Sequence, residues 1–233
     1  MLRQQFHLPQ CSISISVFSA KKAELAVAGG RNPDSGWLQQ VAAGKKVYCA
    51  DAGGAYCLQA GIVPDSLFGD GDSAGKEIYR RLLAAGTRIF QYPPEKDDTD
   101  LQLLLSQLNG NDLVASGVWG GRFDHLYSNI FSLLGFKKQH NCQVLLADEK
   151  EVMLLMSAAE NAEIQIPDLQ RVKAVSLLPL SAQARVSISG VYWPLRDACL
   201  QLLHPYAISN IPLQDFHCEC LQGDIGLYLC FDQ

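Results

Sequence analysis

The chain has 233 residues, 19 Lys and Arg against 24 Asp and Glu, a net charge of −5, and is 48% hydrophobic and 18% charged. That balance excludes an intrinsically disordered chain, which combines low hydrophobicity with high net charge, and the mild acidity speaks against a nucleic-acid partner, which calls for a basic patch. No apolar run approaches the roughly 18–20 residues of a membrane helix, and MLRQQFHLPQCSISIS lacks the apolar block of a secretory signal, so a cytoplasmic protein with no membrane partner is expected.

In chain order, Ile13, Ile15 and Val17 alternate with serine, which reads as an edge strand or a loose terminus. Short apolar runs then end in glycine or aspartate: Glu24–Ala28 before Gly29-Gly30, Lys46–Ala50 before Asp51 and Gly53-Gly54, Ser66–Phe68 before Gly69-Asp70. Arg88–Tyr92, Leu113–Val118 and Gln143–Ala147 follow, with helical stretches at Gly54–Ala60, Lys76–Ala85, Thr99–Leu108 and Asp124–Phe136. This alternation predicts an α/β fold, an open and mostly parallel sheet flanked by helices, over residues 1–150. Its best-signalled helix starts at Thr99, where Thr99 and Gln102 have capping-box spacing and Leu101, Leu104, Leu105 and Leu108 form an apolar stripe.

After residue 150 the pieces become short and β-rich: Val152–Met156, Glu163–Ile166, Val172–Leu178, Arg185–Ser189 and Gly226–Phe231. Residues 151–233 are therefore expected to form a second, all-β domain, a β-sandwich. The eight cysteines contain no CxxC pair, and without a secretory signal they are expected to be reduced. In FHCECLQ, strand alternation puts Phe216, Cys218 and Cys220 on one face and His217 on the other, so buried thiols are expected there and not a zinc site.

The charged residues collect where predicted strands end: Asp51, then Asp70 and Asp72, then Lys96 to Asp100, then Arg122 and Asp124. In an open α/β sheet ligands bind outside the carboxyl ends of the strands, so these clusters converge on one crevice. In GDGDS, Asp70 and Asp72 can turn toward one hard cation such as magnesium, or form a solvated Asx-rich turn. In KDDTD, capping and the helix dipole account for one or two of Asp97, Asp98 and Asp100, and Lys96 beside them can neutralise a phosphate. In GVWGGRFDH, Gly120-Gly121 before a helix exposes backbone N–H groups to an anion, and Arg122 adds a planar charged fork. Asp124 follows at the helix start, and His125 reads as a structural histidine. There is no GxxxxGK[ST], no GxGxxG opening a helix and no GxSxG, so the phosphate-handling site is neither a P-loop nor a dinucleotide fold.

ADAGGAYCLQAGIVPDSLFGDGDS, YPPEKDDTDLQLLL and GGRFDH, with GVYWPL and ISN late in the chain, resemble the thiamin pyrophosphokinase family from about Ala26 to Phe231. The resemblance implies an α/β domain followed by a β-sandwich, a homodimer with thiamin bound in clefts between subunits, and magnesium-dependent transfer of the pyrophosphoryl group of ATP to the thiamin hydroxyl. It implies a metal set of Asp70, Asp72 and Asp100, and a strand-end acid at Asp51 beside Gly53. Lys96, Asp97, Asp98 and Thr99 match the loop between nucleotide and thiamin, and Gly120, Gly121, Arg122 and Asp124 the phosphate-facing turn. Trp193 matches an aromatic that stacks on thiamin, and Ser209 with Asn210 a late pair near the ligands. Asp98 and Asp124 are both candidates for accepting the hydroxyl proton. Departures stand at Ala52, Gly54, Ala55, Gly71 and Trp119, none of which removes a carboxylate or Arg122. The residues alone also suit a diphosphokinase for a hydroxymethyl-pterin, or a non-catalytic thiamin- or nucleotide-binding protein. Trp193 in the all-β half favours thiamin, and the set of carboxylates favours catalysis.

Overall fold

The computed structural model describes residues 2–69, 75–93, 95 and 97–232. Its contacts divide the chain into one unit of residues 22–148 and another that joins residues 149–233 to the first 21.

The chain opens on a hairpin, β1 (Leu2–His7) and β2 (Ser12–Val17). The first unit then runs β3 (Ala23–Val27), α1 (Ser35–Ala42), β4 (Val47–Ala50), α2 (Gly53–Gln59), β5 (Ser66–Gly69) and α3 (Lys76–Ala84). It continues through β6 (Arg88–Gln91), α4 (Asp100–Ser106), β7 (Asp112–Ser116), α5 (Phe123–His140) and β8 (Val144–Ala147). All the strand pairs within it are parallel, in the order β8-β7-β3-β4-β5-β6. Strands β5, β7 and β8 are buried at every residue, which is why they read as continuous apolar runs and not as alternating ones. The expected capping box is present: Thr99 caps α4, and Gln102 returns a bond to the Thr99 N–H. Leu101, Leu104, Leu105 and Leu108 are all buried and seat α4 on β4 and β5. Each such leucine contributes about 1.5–3 kcal/mol, and together they fix where the helix begins.

Helix α1 was not foreseen. Asp34 caps it by accepting from the Trp37 N–H at 2.8 Å, and Trp37, Leu38, Val41 and Ala42 form its buried stripe.

The second unit adds β9 (Glu151–Ser157), β10 (Glu160–Gln165), β11 (Val172–Pro179), β12 (Gln183–Val191), β13 (Leu195–Gln201), β14 (Pro212–Gln222) and β15 (Asp224–Phe231). One antiparallel sheet has the order β1-β2-β10-β14-β12-β13, and three further antiparallel strands run β11-β15-β9. Strand β14 touches β9, β11 and β15, giving the sandwich expected from the β-rich texture. Residues 1–21, assigned on sequence to the α/β domain, group here instead, because β2 pairs with β10 through Ile15 opposite Ala162 and Ile13 opposite Ile164. Nor is β2 an edge: it lies between β1 and β10 with Ile13 and Ile15 fully buried. Phe216, Cys218 and Cys220 are buried on one face of β14 and His217 is on the other. All eight cysteines are free thiols. No described helix is long and apolar enough to cross a membrane.

Candidate active site

The first unit's strand order changes direction at β3. From it the chain steps outward through β4, β5 and β6, then returns to place β7 and β8 on the other side. Such a switch point leaves a crevice outside the strand ends, and the loops leaving β3 and β7 form it. Their backbones stay paired beyond the strands: the Ala28 N–H donates to the Ser116 carbonyl at 2.8 Å, Gly30 to Gly117 at 2.7 Å, and Arg31 to Trp119 at 2.5 Å. A Cβ on Gly30 would stand 2.5 Å from the Gly117 oxygen and 2.6 Å from that of Trp119, so only glycine permits this approach.

A cavity of about 370 Å³ opens here, within the size range of small-ligand sites. Asp51, Asp98, Thr99, Asp100, Gly120, Gly121 and Arg122 all line it, from three different loops, and Gly29 and Gly30 line it from a fourth, the loop after β3. Asp51 follows β4 in a left-handed conformation, φ 54°, with its N–H on the Phe68 carbonyl at 2.9 Å. Its carboxylate lies over Gly29, where a Cβ would come within 3.0 Å of Oδ2. Tyr56 stands beside it, donating to the Gly30 carbonyl at 2.8 Å. Burial raises the Tyr56 phenol above its ordinary pKa, and the Asp51 charge raises it further. Gly53 is not part of the lining. It starts α2 so close to β3 that a Cβ would meet the Val27 oxygen at 1.9 Å.

Gly120 and Gly121 are both left-handed, φ 69° and 68°, and Arg122 follows as the N-cap of the 18-residue helix α5. Successive N–H groups at the positive end of a helix dipole form an anion cradle. The Arg122 guanidinium is forked onto Asp124, Nε to Oδ1 at 3.1 Å and Nη2 to Oδ2 at 2.5 Å. Hydrogen bonding to Arg122 holds the Asp124 carboxyl below its ordinary pKa, aided by the His125 N–H. Asp124 therefore meets the cavity through Arg122, not as part of its lining.

Asp97 is exposed outside the cavity lining. Asp70, Asp72 and Lys96 lie outside the described residues. Among the described residues no three His, Cys, Asp or Glu side chains form a metal-holding group.

The first unit matches the family model described as thiamin pyrophosphokinase, catalytic domain, over residues 38–146. The model described as thiamin pyrophosphokinase, vitamin B1 binding domain, matches residues 161–218. A thiamine pyrophosphokinase of Bacillus subtilis is 30% identical over 69% of this chain and 75% of its own length. The chain belongs to the thiamin pyrophosphokinase family. It is an enzyme of that kind. The crystal structure of thiamine pyrophosphokinase from B. subtilis superposes with a TM-score of 0.77 at 25% identity, covering 91% of this chain and all of that one. Thiamin pyrophosphokinase from Candida albicans shares the fold at 17% identity, with a TM-score of 0.73 over 100% and 99% of the two chains.

Sequence reasoning passed over four residues of this cavity. Gly29-Gly30 was visible only as the end of a strand. His125 and Asn129, one turn apart on α5, both line the cavity, which corrects the expectation of a structural His125. Their spacing from Arg122, i+3 and i+7 along one helix face, was the available signal. Asn129 also donates to the Val118 carbonyl at 3.2 Å, tying α5 to the loop after β7.

In the segment that matches the vitamin B1 binding domain model, Trp193 is 56% exposed and meets Tyr192 edge-on at 4.7 Å. Asn210 bonds both backbone groups of Trp193, and it pairs with Val175 through its own backbone. Ser209 sits in a left-handed turn, φ 59°, with its N–H on Ser176 Oγ at 3.1 Å. Trp193, Ser209 and Asn210 are therefore one local assembly.

Proposed function

We propose that the cavity at the β3–β7 switch point binds ATP and that the protein catalyses attack of the thiamin hydroxyl on the β-phosphorus. The new bond forms from the thiamin oxygen to that phosphorus, the bridging bond to the α-phosphate oxygen breaks, and AMP leaves. The observation that carries this reading is the convergence of Asp51, Asp98, Asp100, Gly120, Gly121 and Arg122 on one cavity from three loops. Aligned reactants and preset charge are most of what phosphoryl transfer requires. The Gly120 and Gly121 N–H groups cradle phosphate oxygens, and Arg122 offsets the charge that builds on them.

Asp98 is the better placed proton acceptor. It lines the cavity, whereas both Asp124 oxygens are taken by Arg122 and its carboxyl is a weakened base.

The donors are suited to magnesium. Asp51, Asp98 and Asp100 offer only carboxylate oxygens, and magnesium in nucleotide sites takes one or two carboxylates and completes its shell with phosphate and water. Asp100 would hold it, with Asp70 and Asp72 as further ligands. When bound, the ion neutralises charge on the bridging phosphates.

Trp193 offers an indole face suited to the thiazolium and pyrimidine rings, by cation–π attraction and stacking of roughly 1–2 kcal/mol when desolvated. A homodimer whose sites are shared between subunits completes this reading. The test is incubation of purified protein with MgATP and thiamin, with AMP and thiamin diphosphate followed together. Equal yields of the two are expected. AMP release with a hydroxymethyl-pterin and not with thiamin would transfer the reading to the pterin, and binding without AMP release would make the protein a non-catalytic binder.

A further inference from the structure

Two consecutive left-handed glycines do not hold their own shape, because glycine moves readily between conformations. The turn at Gly120-Gly121 therefore needs an external brace. Arg31 touches it from the neighbouring loop: its N–H holds the Trp119 carbonyl at 2.5 Å, and its Cβ lies 3.1 Å from where a Cβ on Gly120 would stand. The Arg31 side chain then leaves the turn and reaches Asp148, Nε to Oδ2 at 2.8 Å and Nη2 to Oδ2 at 2.6 Å. The Asp148 side chain is fully buried, while that of Arg31 is 28% exposed.

The strand order gives this pair its meaning. Arg31 follows β3 and Asp148 follows β8, and β7 lies between those two strands. The ion pair thus spans the end of β7, the strand whose exit loop becomes the Gly120–Arg122 turn. We infer that the Arg31–Asp148 pair is a latch that sets the shape of the phosphate-facing turn, which makes Arg31 a positioning residue. Arg31 itself does not line the cavity, so it acts through the Trp119 and Gly120 backbone. The buried carboxylate fixes the guanidinium, the guanidinium fixes the Arg31 backbone, and that backbone fixes the peptide groups offered to phosphate. A planar guanidinium suits this role because two of its nitrogens reach one carboxylate oxygen, which a lysine ammonium does not reproduce.

The inference rests on the reading of this turn as a phosphate site, and the test separates the two. Calorimetric titration with MgATP and, independently, with thiamin would be made on the full chain carrying Arg31→Gln, Arg31→Lys, Asp148→Asn, and Arg31→Gln with Asp148→Asn. Arg31→Gln and Asp148→Asn are each expected to weaken ATP binding about tenfold and to leave thiamin binding unchanged. Arg31→Lys should fall between Arg31→Gln and wild type. The double variant should bind ATP no more weakly than the worse single one, since both changes release the same latch. Wild-type ATP affinity in Asp148→Asn, or losses that add in the double variant, would overturn the latch. So would parallel loss of ATP and thiamin binding in step with a falling melting midpoint. If Arg31→Gln does not fold, the near-isosteric Asp148→Asn and the charge-conserving Arg31→Lys decide by the same criteria. A wild-type protein that binds MgATP but releases no AMP with thiamin overturns the catalytic reading alone, because the latch is read from ATP affinity. A wild type that binds no MgATP overturns both.

Discussion

The side-chain amide of Asn210 closes on the backbone of Trp193 from both sides, its Oδ1 accepting the Trp193 N–H at 3.0 Å and its Nδ2 donating to the Trp193 carbonyl at 2.7 Å. The same Oδ1 accepts the Ile211 N–H at 2.9 Å. Both ends of the amide are thus engaged by the protein, so in the proposed thiamin site Asn210 acts by holding Trp193. Trp193→Ala is expected to raise the thiamin KM about tenfold and leave the ATP KM unmoved. Asn210→Ala should reproduce that selective loss, and Asn210→Asp, which keeps the acceptor and loses the donor, should lie between. A wild-type thiamin KM in Asn210→Ala would show that the clamp is irrelevant to the ligand.

The proposed phosphate-facing role of Arg122 is tested by keeping its charge and removing its shape. Arg122→Lys cannot reproduce a forked contact with either phosphate or Asp124. Its kcat/KM for ATP should fall at least tenfold while the melting midpoint stays in place, because the Arg122–Asp124 pair is exposed. An unchanged rate would confine Arg122 to a surface ion pair.

Magnesium dependence should track the carboxylates. Asp100→Asn and Asp72→Asn each keep side-chain shape and lose a charge, so the magnesium concentration giving half-maximal AMP release should rise several-fold. Chelation of divalent ions should stop turnover in the wild type and leave its circular dichroism intact. Asparagine variants that lose activity only in proportion to lost folded protein would argue for a structural role.

Two glycines hold the cavity loops by close approach. Gly53→Ala drives a methyl into the Val27 carbonyl, and Gly30→Ala drives one between the carbonyls of Gly117 and Trp119. These neighbours are backbone, which cannot rotate away as a side chain can. Each substitution should lower stability by about 1–3 kcal/mol in urea unfolding. Either variant unfolding at the wild-type urea concentration would contradict the packing described.

Alkaline pH should destabilise the fold. Burial pushes the Cys11 thiol up from 9.0 to about 12, and burial together with Glu24 pushes the Tyr48 phenol from 10.0 to about 12. Both groups stay protonated in the native state where the unfolded chain has begun to ionise. Their stabilisation is complete below pH 9 and is lost as pH rises toward 12. The melting midpoint should decline from about pH 9 upward, and less steeply in Cys11→Ala. A midpoint level to pH 11 would count against the burial of these groups.

Much of the fold was legible because its signals are local. Runs such as Ser66–Phe68 and Leu113–Val118 announced strands buried on both faces, and Thr99 with Gln102 and the leucine stripe announced α4 within two residues of its ends. The alternation of Phe216, His217 and Cys218 was visible for the same reason, since side-chain direction repeats every two residues along a strand. The clusters at Asp51, Asp98, Asp100 and Arg122 could be placed at strand ends, and the parallel topology required those ends to lie together.

Partnership was the tertiary structure's decision. Nothing around Ile13 and Ile15 specifies that β2 pairs with β10, because the alternation that marks a half-buried strand is the same whichever strand lies beside it. For the same reason the first 21 residues could not be assigned to their unit. Arg31 and Asp148 lie far apart in the chain and in no motif, and they meet only because the sheet sets β3 and β8 on either side of β7, so that the residues leaving them reach each other over its end. His125 and Asn129 became cavity residues through the direction in which α5 leaves the Gly120-Gly121 turn. Periodicity and capping are interactions over a few residues, so the sequence alone determines which elements form and where they end. Which strands become neighbours, and therefore which loops share a cavity, depends on non-local packing that only the assembled chain supplies.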